Sequence, residues 1–328
     1  MSVLVTGGAG YIGSHTVRAL RAEGRDVVVL DSLELGHRAA VIDAPLEVGD
    51  IANRQLVRDV CTRYQVTQAV HFAAYKSVGE SMQAPGKYWA NNVGSSAALF
   101  ETLADCGVQG VVFSSSCSVY GTPAVVPVAE DAAIHPESVY AETKAMAERM
   151  LHWFGVTHGL RSVSLRYFNA AGASADARIG EDWSFSINLI PVVMKALLGH
   201  SGPVQVFGDD YPTPDGTCIR DYIHVDDLAA AHLRSLDYLA AGGTTTAVNV
   251  GTGVGSSVLD IIRATERVTG MSVPYTVVAR RAGDPVASFA EPRHARELLG
   301  WQAHHSLDDI IASAWEWHRT HPEGFATA

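Results

Sequence analysis

No window of this 328-residue chain is long and apolar enough to span a bilayer. Met1 runs almost at once into an apolar, strand-like segment, which leaves no room for a secretory leader. Cysteine is scarce. Cys61, Cys106, Cys117 and Cys218 form neither a CxxC pair nor a zinc spacing, which argues against a disulfide scaffold or zinc module and reads as reduced thiols. Together these absences predict a cytoplasmic protein. The fourteen histidines do not group as metal ligands. His318 and His321 share a helix face without a third partner and read as a solvated face, so no metal is expected. There is no internal repeat and no low-complexity tract.

Positive charge is also in short supply: 24 Lys and Arg stand against 35 Asp and Glu, a formal net charge of −11. A broadly acidic surface disfavours nucleic acid and anionic membranes as partners. An anionic substrate would need specific local cations to hold it. The composition is otherwise that of an ordinary folded protein, with 47% hydrophobic and 18% charged residues. Its length allows two domains or one large α/β unit.

The first half alternates β-branched runs with helical patterns. Strands are predicted at Val3–Thr6, Asp26–Leu30, Leu46–Val48, Ala69–Phe72, Gly110–Ser114 and Ser162–Arg166, and helices near Gly13–Glu23, Asn53–Tyr64, Lys87–Cys106 and Val139–Phe154. This alternation predicts an α/β fold: a doubly wound parallel (Rossmann) sheet with helices on both faces. The apolar runs barely alternate, as strands buried on both faces should not. After Asn169 the rhythm breaks into Gly- and Pro-rich stretches, with helices near Ile187–Leu198, Val225–Leu239, Ser257–Thr269 and Leu307–Arg319. The expected division is a nucleotide-binding unit over residues 1–168, with 221–252 returning to it, and a smaller C-terminal α/β unit, mainly for substrate, over 169–328.

Between the first strand and first helix, Gly7, Gly10 and Gly13 keep a Gly-x-x-Gly-x-x-Gly spacing. Such glycines allow a sharp turn, close approach of a pyrophosphate and tight helix–strand packing, and the helix N-terminus adds free N–H groups. Glycine-rich turns also end strands for local reasons, so position matters: this one lies in the first strand–helix turn, and Asp31 closes the second strand. An acidic residue there accepts from ribose hydroxyls and repels a 2′-phosphate, favouring NAD over NADP. Asp50-Ile51 and His71-Phe72-Ala73-Ala74 end later strands, where a cofactor crevice would lie, although each alone is equally ordinary loop chemistry. Tyr140 and Lys144 sit four apart on one helical face. A nearby ammonium is expected to lower the phenol pKa and make Tyr140 a base. The run Ser114-Ser115-Ser116-Cys117-Ser118 ends the fifth strand and offers a hydroxyl to relay that proton, but spacing does not say which. Cys117 has no partnering base and reads as packing.

These residues resemble the extended short-chain dehydrogenase/reductase family and, within it, the UDP-glucose 4-epimerase family. The resemblance runs from Val3–His15 to Glu297–Trp301 and includes Arg166-Tyr-Phe-Asn169, Phe207-Gly-Asp-Asp-Tyr-Pro212, Arg220-Asp-Tyr-Ile-His-Val225 and Arg280-Arg-Ala-Gly-Asp284. It implies Tyr140 as base, Lys144 on the nicotinamide ribose and Ser116 as catalytic serine. It implies NAD contacts from Gly7, Gly10, Tyr11, Ile12, Gly13, Asp31, Ser32, Asp50, Ile51, Phe72, Ala73, Lys76, Asn91, Ser114 and Phe168. Substrate contacts are implied for Lys76, Ser116, Tyr140, Asn169, Asn188, Leu189, Phe207, Arg220, Arg281, Asp284 and Ser288. Paired arginines suit a pyrophosphate and an aromatic face suits uracil, though Arg281 also reads as surface and Phe207 as core.

The implied reaction removes a hydride from sugar C4 and returns it to the opposite face, interconverting UDP-galactose and UDP-glucose. Ser32 stands where many relatives carry Asn. Ser288 stands where relatives carry a residue that limits the sugar pocket, so UDP-GlcNAc and UDP-GalNAc are further candidate substrates. Rival readings are another NAD-dependent sugar-nucleotide epimerase, dehydratase or decarboxylase, or a non-enzymatic NAD-sensing protein. The resemblance also implies a homodimer pairing the helices near Lys87–Cys106 and Val139–Phe154.

Overall fold

The apolar run Val27-Val28-Val29-Leu30 is buried throughout, which requires a partner layer on each face of its strand. The computed structural model describes residues 2–184, 186, 188–281 and 283–325. The chain begins β1 (Ser2–Thr6), α1 (Tyr11–Ala22), β2 (Asp26–Asp31), β3 (Leu46–Val48), α2 (Arg54–Tyr64) and β4 (Val66–His71). It continues α3 (Val78–Gln83), α4 (Pro85–Tyr88), α5 (Ser96–Asp105), β5 (Gly110–Ser114), α6 (Val139–His158), β6 (Arg161–Tyr167) and β7 (Asn169–Ala171). Then come α7 (Leu189–Leu197), β8 (Val204–Phe207), β9 (Ile219–His224), α8 (Val225–Ala240), β10 (Thr246–Val250), β11 (Gly255–Ser257) and α9 (Val258–Thr269). The last elements are β12 (Tyr275–Val278), β13 (Ala287–Ser288), α10 (Arg293–Leu299) and α11 (Leu307–Thr320).

Seven parallel strands form the main sheet in the order β10-β6-β5-β4-β1-β2-β3. This is the doubly wound, Rossmann-type arrangement. Alternate residues of β1 feed the two cores: Val3 and Val5 pack with Leu20 and Leu236, while Leu4 packs with Phe100 and Leu151 on the other face. The winding reverses between β1 and β4, and a crevice opens outside the carboxyl ends of strands at such a switch point. Beside the sheet, β9 pairs with β7, β11 and β13, and β8 pairs with β12. Ile190, Met194, Ile261 and Ile311 form the core of that region.

Three differences from the sequence reading have physical causes. The seventh strand, β10, is absent from the strands expected, because its apolar run is short and interrupted by Asn249; that side chain is buried and bonded to Tyr120 and Val128. The expected helix over Lys87–Cys106 is not one α-helix: a π-helical stretch, Trp89–Ser95, lies between α4 and α5. π-Helical turns of this kind recur at functional sites, and this one carries Asn91 and Asn92. The Asn92 amide accepts from Tyr75 N (2.9 Å) and donates to Tyr75 O (3.0 Å), fixing the loop after β4. Lastly, His318 is buried, not solvated. Its ring stacks on Trp183 at 4.6 Å, and burial lowers its pKa to about 3. The helix expected from Ile187 begins, among the described residues, at Leu189; Ile187 itself lies outside them. Among the described residues no group of His, Cys, Asp or Glu is arranged to hold a metal ion, and no helix is long and apolar enough to cross a membrane.

Candidate active site

The glycine turn is built as its spacing requires. Gly7 has φ +72°, and a Cβ there would lie 2.6 Å from Ala73 N, so only glycine admits the β4 loop against the turn. A Cβ on Gly13 would strike the Gly7 carbonyl. Gly10 caps α1 without a side-chain acceptor, leaving the first-turn N–H groups available. Asp31 stitches this turn to β2, one carboxylate oxygen accepting from Ala9 N and the other from Leu33 N, both at 2.9 Å. Ser32 Oγ accepts from Glu34 N at 3.3 Å, and Asp50 Oδ1 from Ala52 N at 2.8 Å.

Above these groups lies a cleft that is partly open to solvent. Gly7, Gly10, Tyr11, Ile12, Gly13, Asp31 and Ser32 wall one part. Asp50, Ile51, Phe72, Ala73, Lys76 and Asn91 wall the next, and Ser114, Tyr140 and Lys144 the inner end. Phe168 is not in this wall: it is buried in an adjoining apolar cluster with Val119, Tyr120 and Ala290.

Tyr140 enters the cleft from the first turn of α6. Ser138 caps that helix by accepting from Ala141 N at 3.2 Å, and Ser81 Oγ accepts from Tyr140 N at 3.1 Å. One turn on, Lys144 Nζ donates to Ser114 O at 2.6 Å and stands 5.8 Å from the Tyr140 ring centroid. Both side chains are buried. Desolvation pushes the phenol pKa up, opposed by the Ser116 hydroxyl, and pulls the Lys144 ammonium down to about 7, opposed by Glu148. The expected lowering of the phenol by the lysine therefore does not occur in the protein alone. Burial is the largest influence on both groups and penalises both charged forms.

The structure also separates the serines that spacing left equivalent. Ser114 Oγ pairs with Tyr167 OH at 2.6 Å, and Ser115 Oγ donates to Glu148 at 2.5 Å. Ser118 Oγ is buried with no partner among the described residues, while Ser116 Oγ accepts from Ser118 N at 3.2 Å and lies beside the phenol. Burial pushes the Cys117 thiol up to about 12, consistent with packing and not with nucleophilic chemistry.

The remaining substrate candidates form a second group outside the cleft wall. Arg281 donates twice to Asp284, at 3.0 and 2.9 Å, and lies over the Phe207 ring at 5.3 Å. That Phe207 face meets a guanidinium, where the sequence suggested an open surface for uracil. Arg220 Nη2 is 3.6 Å from the same Asp284 carboxylate. Two cations thus share one anion, leaving net positive charge in an acidic protein. Ser288 pairs in register with Arg220 in the β13–β9 ladder. Asn169 Nδ2 donates to Asp221 O at 3.0 Å, and Asn188 Nδ2 to Glu181 Oε1 at 2.8 Å. Leu189 opens α7 and packs into the core beside it. Glu181 also lies 3.4 Å from Lys76, so one buried carboxylate links the two groups.

Several contributors were not among the site residues read from the sequence, although Asp221 lies within the Arg220–Val225 stretch. Asp221 accepts from Thr252 N, Thr252 Oγ1, Gly253 N and Ala290 N at 2.7–3.1 Å, tying the arm that bears Ser288 to β9. Glu34, Leu35, Gly36, His37 and Tyr75 wall the cleft; their only sequence signal is position, just after strand carboxyl ends. Gly180, Glu181, Asp182 and Phe325 also line it, and nothing local in the sequence marks them.

Residues 3–251 match the NAD dependent epimerase/dehydratase family. A UDP-glucose 4-epimerase of Lacticaseibacillus casei is 46% identical over 327 residues, covering 99% of each chain. The crystal structure of UDP-glucose 4-epimerase from Brucella ovis in complex with NAD superposes with a TM-score of 0.94 at 46% identity, covering 96% of this chain and 97% of that one. The Stenotrophomonas maltophila UDP-glucose-4-epimerase with bound NAD and formylated UDP-arabinopyranose gives 0.96 at 42% identity, over 98% and 99% of the chains. A glycine turn without Cβ clearance, a carboxylate closing β2 and a buried Tyr–Lys pair in one cleft now stand beside full-length similarity: the chain belongs to the NAD dependent epimerase/dehydratase family.

Proposed function

We propose that this chain is a UDP-glucose 4-epimerase that interconverts UDP-galactose and UDP-glucose with NAD held in the cleft. The observation that carries the proposal is the convergence of buried Tyr140 and Lys144 at the carboxyl end of β5, in the cleft that the glycine turn opens, with the half-buried Ser116 hydroxyl beside the phenol though outside the cleft wall. The cradle fits the cofactor. The α1 N-terminus, with Gly7, Gly10, Tyr11, Ile12 and Gly13, suits a pyrophosphate. Asp31 and Ser32 suit the adenosine ribose, Asp50 and Ile51 the base, and Phe72, Ala73, Lys76, Asn91, Ser114 and Lys144 the nicotinamide half. When bound, NAD supplies the hydride acceptor and donor for sugar C4 and a positive ring near the phenol.

Tyr140 takes the proton of the 4-hydroxyl and later returns it, with Ser116 aligning that oxygen. Lys144, fixed on the Ser114 carbonyl, places positive charge beside the phenol when it is protonated. Arg220 and Arg281 hold the UDP pyrophosphate while the sugar presents its other face, and Asn169, Asn188, Leu189, Phe207 and Asp284 shape the rest of that site. Residues 169–328 serve mainly the substrate and 1–168 the cofactor, with α8 and β10 contributing to the latter. Four free thiols suit a cytoplasmic setting.

Because the reaction has no net redox change, purified protein given UDP-galactose and no added reductant is expected to form UDP-glucose, read by coupling to UDP-glucose oxidation. Formation of a 4-keto-6-deoxy sugar instead would make the chain a dehydratase. A dehydratase needs an acid/base pair beside the serine, usually acidic residues, and the Cys117 and Ser118 that follow Ser116 here disfavour that reading.

We propose that the small Ser288 side chain, in register with Arg220, admits an N-acetyl group. Wild type is therefore expected to epimerise UDP-GlcNAc, and Ser288→Tyr to lose that activity by at least about tenfold relative to UDP-glucose, the effect of a steric mismatch worth ~1–3 kcal/mol. Rejection of N-acetyl sugars by wild type, or undiminished use by the variant, defeats this assignment.

A second copy of the chain covers the outer face of α5 and α6. Met146, Met150, Trp153 and Phe154 line a shallow groove there, and Trp153 and Val156 remain 63% and 64% exposed, an apolar patch unsuited to water. Sedimentation is expected to give a dimer and Trp153→Glu a monomer; a monomeric wild type rules the dimer out.

A further inference from the structure

Asp31 and the glycine turn account for the floor of the cleft but not for what closes its outer end. The loop after β2 lies directly on Asp31: a Cβ on Gly36 would be 2.9 Å from Asp31 Oδ1, and His37 N donates to Ala9 O at 2.9 Å. This loop is then gripped from across the cleft. His37 Nε2 lies 2.7 Å from Asp182 Oδ2, on the segment before α7. The His37 ring stacks on Phe325 at 4.8 Å with 26° between planes, and Phe325 rests on Trp317 at 4.9 Å. Trp317 is a rigid base: it is 1% exposed, and its indole N–H donates to Glu181 O at 3.0 Å. A second crossing joins the same loop to the β4 loop, where Tyr75 OH lies 2.7 Å from Glu34.

His37, Asp182 and Phe325 all line the cleft, yet they come from three segments far apart in the chain and touch none of the reacting groups. We propose that they form a clasp over the adenosine end of the cleft, with the C-terminal tail completing the cofactor site, and that the clasp sets how slowly NAD leaves. The inference rests on the NAD reading of the cleft. Opening requires the tail ring and the Asp182 contact to separate from the β2 loop before the loop lifts off Asp31. A bound dinucleotide is thereby trapped by contacts that contribute nothing to hydride or proton transfer.

The test begins with the wild-type protein, denatured and its released NAD counted per chain. If it carries no NAD and binds none added, the NAD reading itself is wrong. If it carries NAD, protein loaded with radiolabelled NAD is chased with unlabelled NAD and the retained label followed by rapid filtration. Phe325→Ala and Asp182→Asn are each expected to release label on the order of tenfold faster, and Phe325→Tyr, which keeps the ring, to release it near the wild-type rate. Measuring Asp182→Asn alongside keeps the test open should Phe325→Ala fold poorly. Wild-type release rates in both variants, or equally fast release from Phe325→Tyr, overturn the clasp.

Discussion

Tyr140→Phe is expected to lower kcat for UDP-galactose by roughly 10³-fold, with little change in KM, melting temperature or NAD content. The magnitude follows from removing a positioned acid–base group, whose contribution is typically ~10²–10⁴-fold. The folded state has little to lose. Tyr140 is anchored through its backbone, its N–H on Ser81 and its carbonyl accepting from Thr143 Oγ1 at 2.7 Å. Among the described residues the phenol oxygen has the Ser116 hydroxyl beside it, and that hydroxyl already accepts from Ser118 N, so the phenylalanine does not strand it. Turnover within a few-fold of wild type would mean that another group moves the proton. A large rise in KM with kcat intact would make the phenol a binding group only. Loss of NAD together with activity would assign Tyr140 to cofactor retention.

The parts legible in the sequence were those governed by local rules. Gly7, Gly10 and Gly13 occupy positions where a Cβ meets backbone or nothing else fits, and Asp31 ends a strand whose burial its own residues dictate. Six of the seven sheet strands followed from β-branched runs; β10 did not, because Asn249 is satisfied by residues more than a hundred positions away. The same limit governs the site. Spacing put Tyr140 and Lys144 on one face, but the sign of their pKa shifts depended on desolvation by elements from elsewhere in the chain. Spacing left the serines equivalent and only the family resemblance pointed to Ser116; the structure adds a reason, since Tyr167 and Glu148 occupy Ser114 and Ser115. His318 looked like a surface residue until Trp183, 135 positions earlier, stacked on it. Phe325 carries no local pattern, because its role is defined wholly by what it meets across the cleft.

Lys144→Met is expected to lower turnover by on the order of a hundredfold, the usual effect of losing one electrostatic donor at a reacting centre, and to change how stability responds to pH. Buried Lys144 holds its proton only up to about pH 7, whereas a lysine in the unfolded chain holds it to ~10.4. Between these values the unfolded chain binds a proton that the folded chain has shed, so raising the pH favours folding; below about 7 both states are charged and above ~10.4 both are neutral. The stability of NAD-stripped wild type relative to Lys144→Met should therefore rise across this window by up to ~1.4 kcal/mol per pH unit and be flat below it. The offset between the curves also contains lost packing and the orphaned Ser114 carbonyl, worth ~1–3 kcal/mol, so the slope carries the information. Paired denaturant titrations at several pH values from 6 to 10 give it, and other titrating groups cancel in the difference. A flat difference would mean that Lys144 keeps its charge in the folded protein, and the ammonium would then be available to stabilise phenolate at every working pH without help from the cofactor.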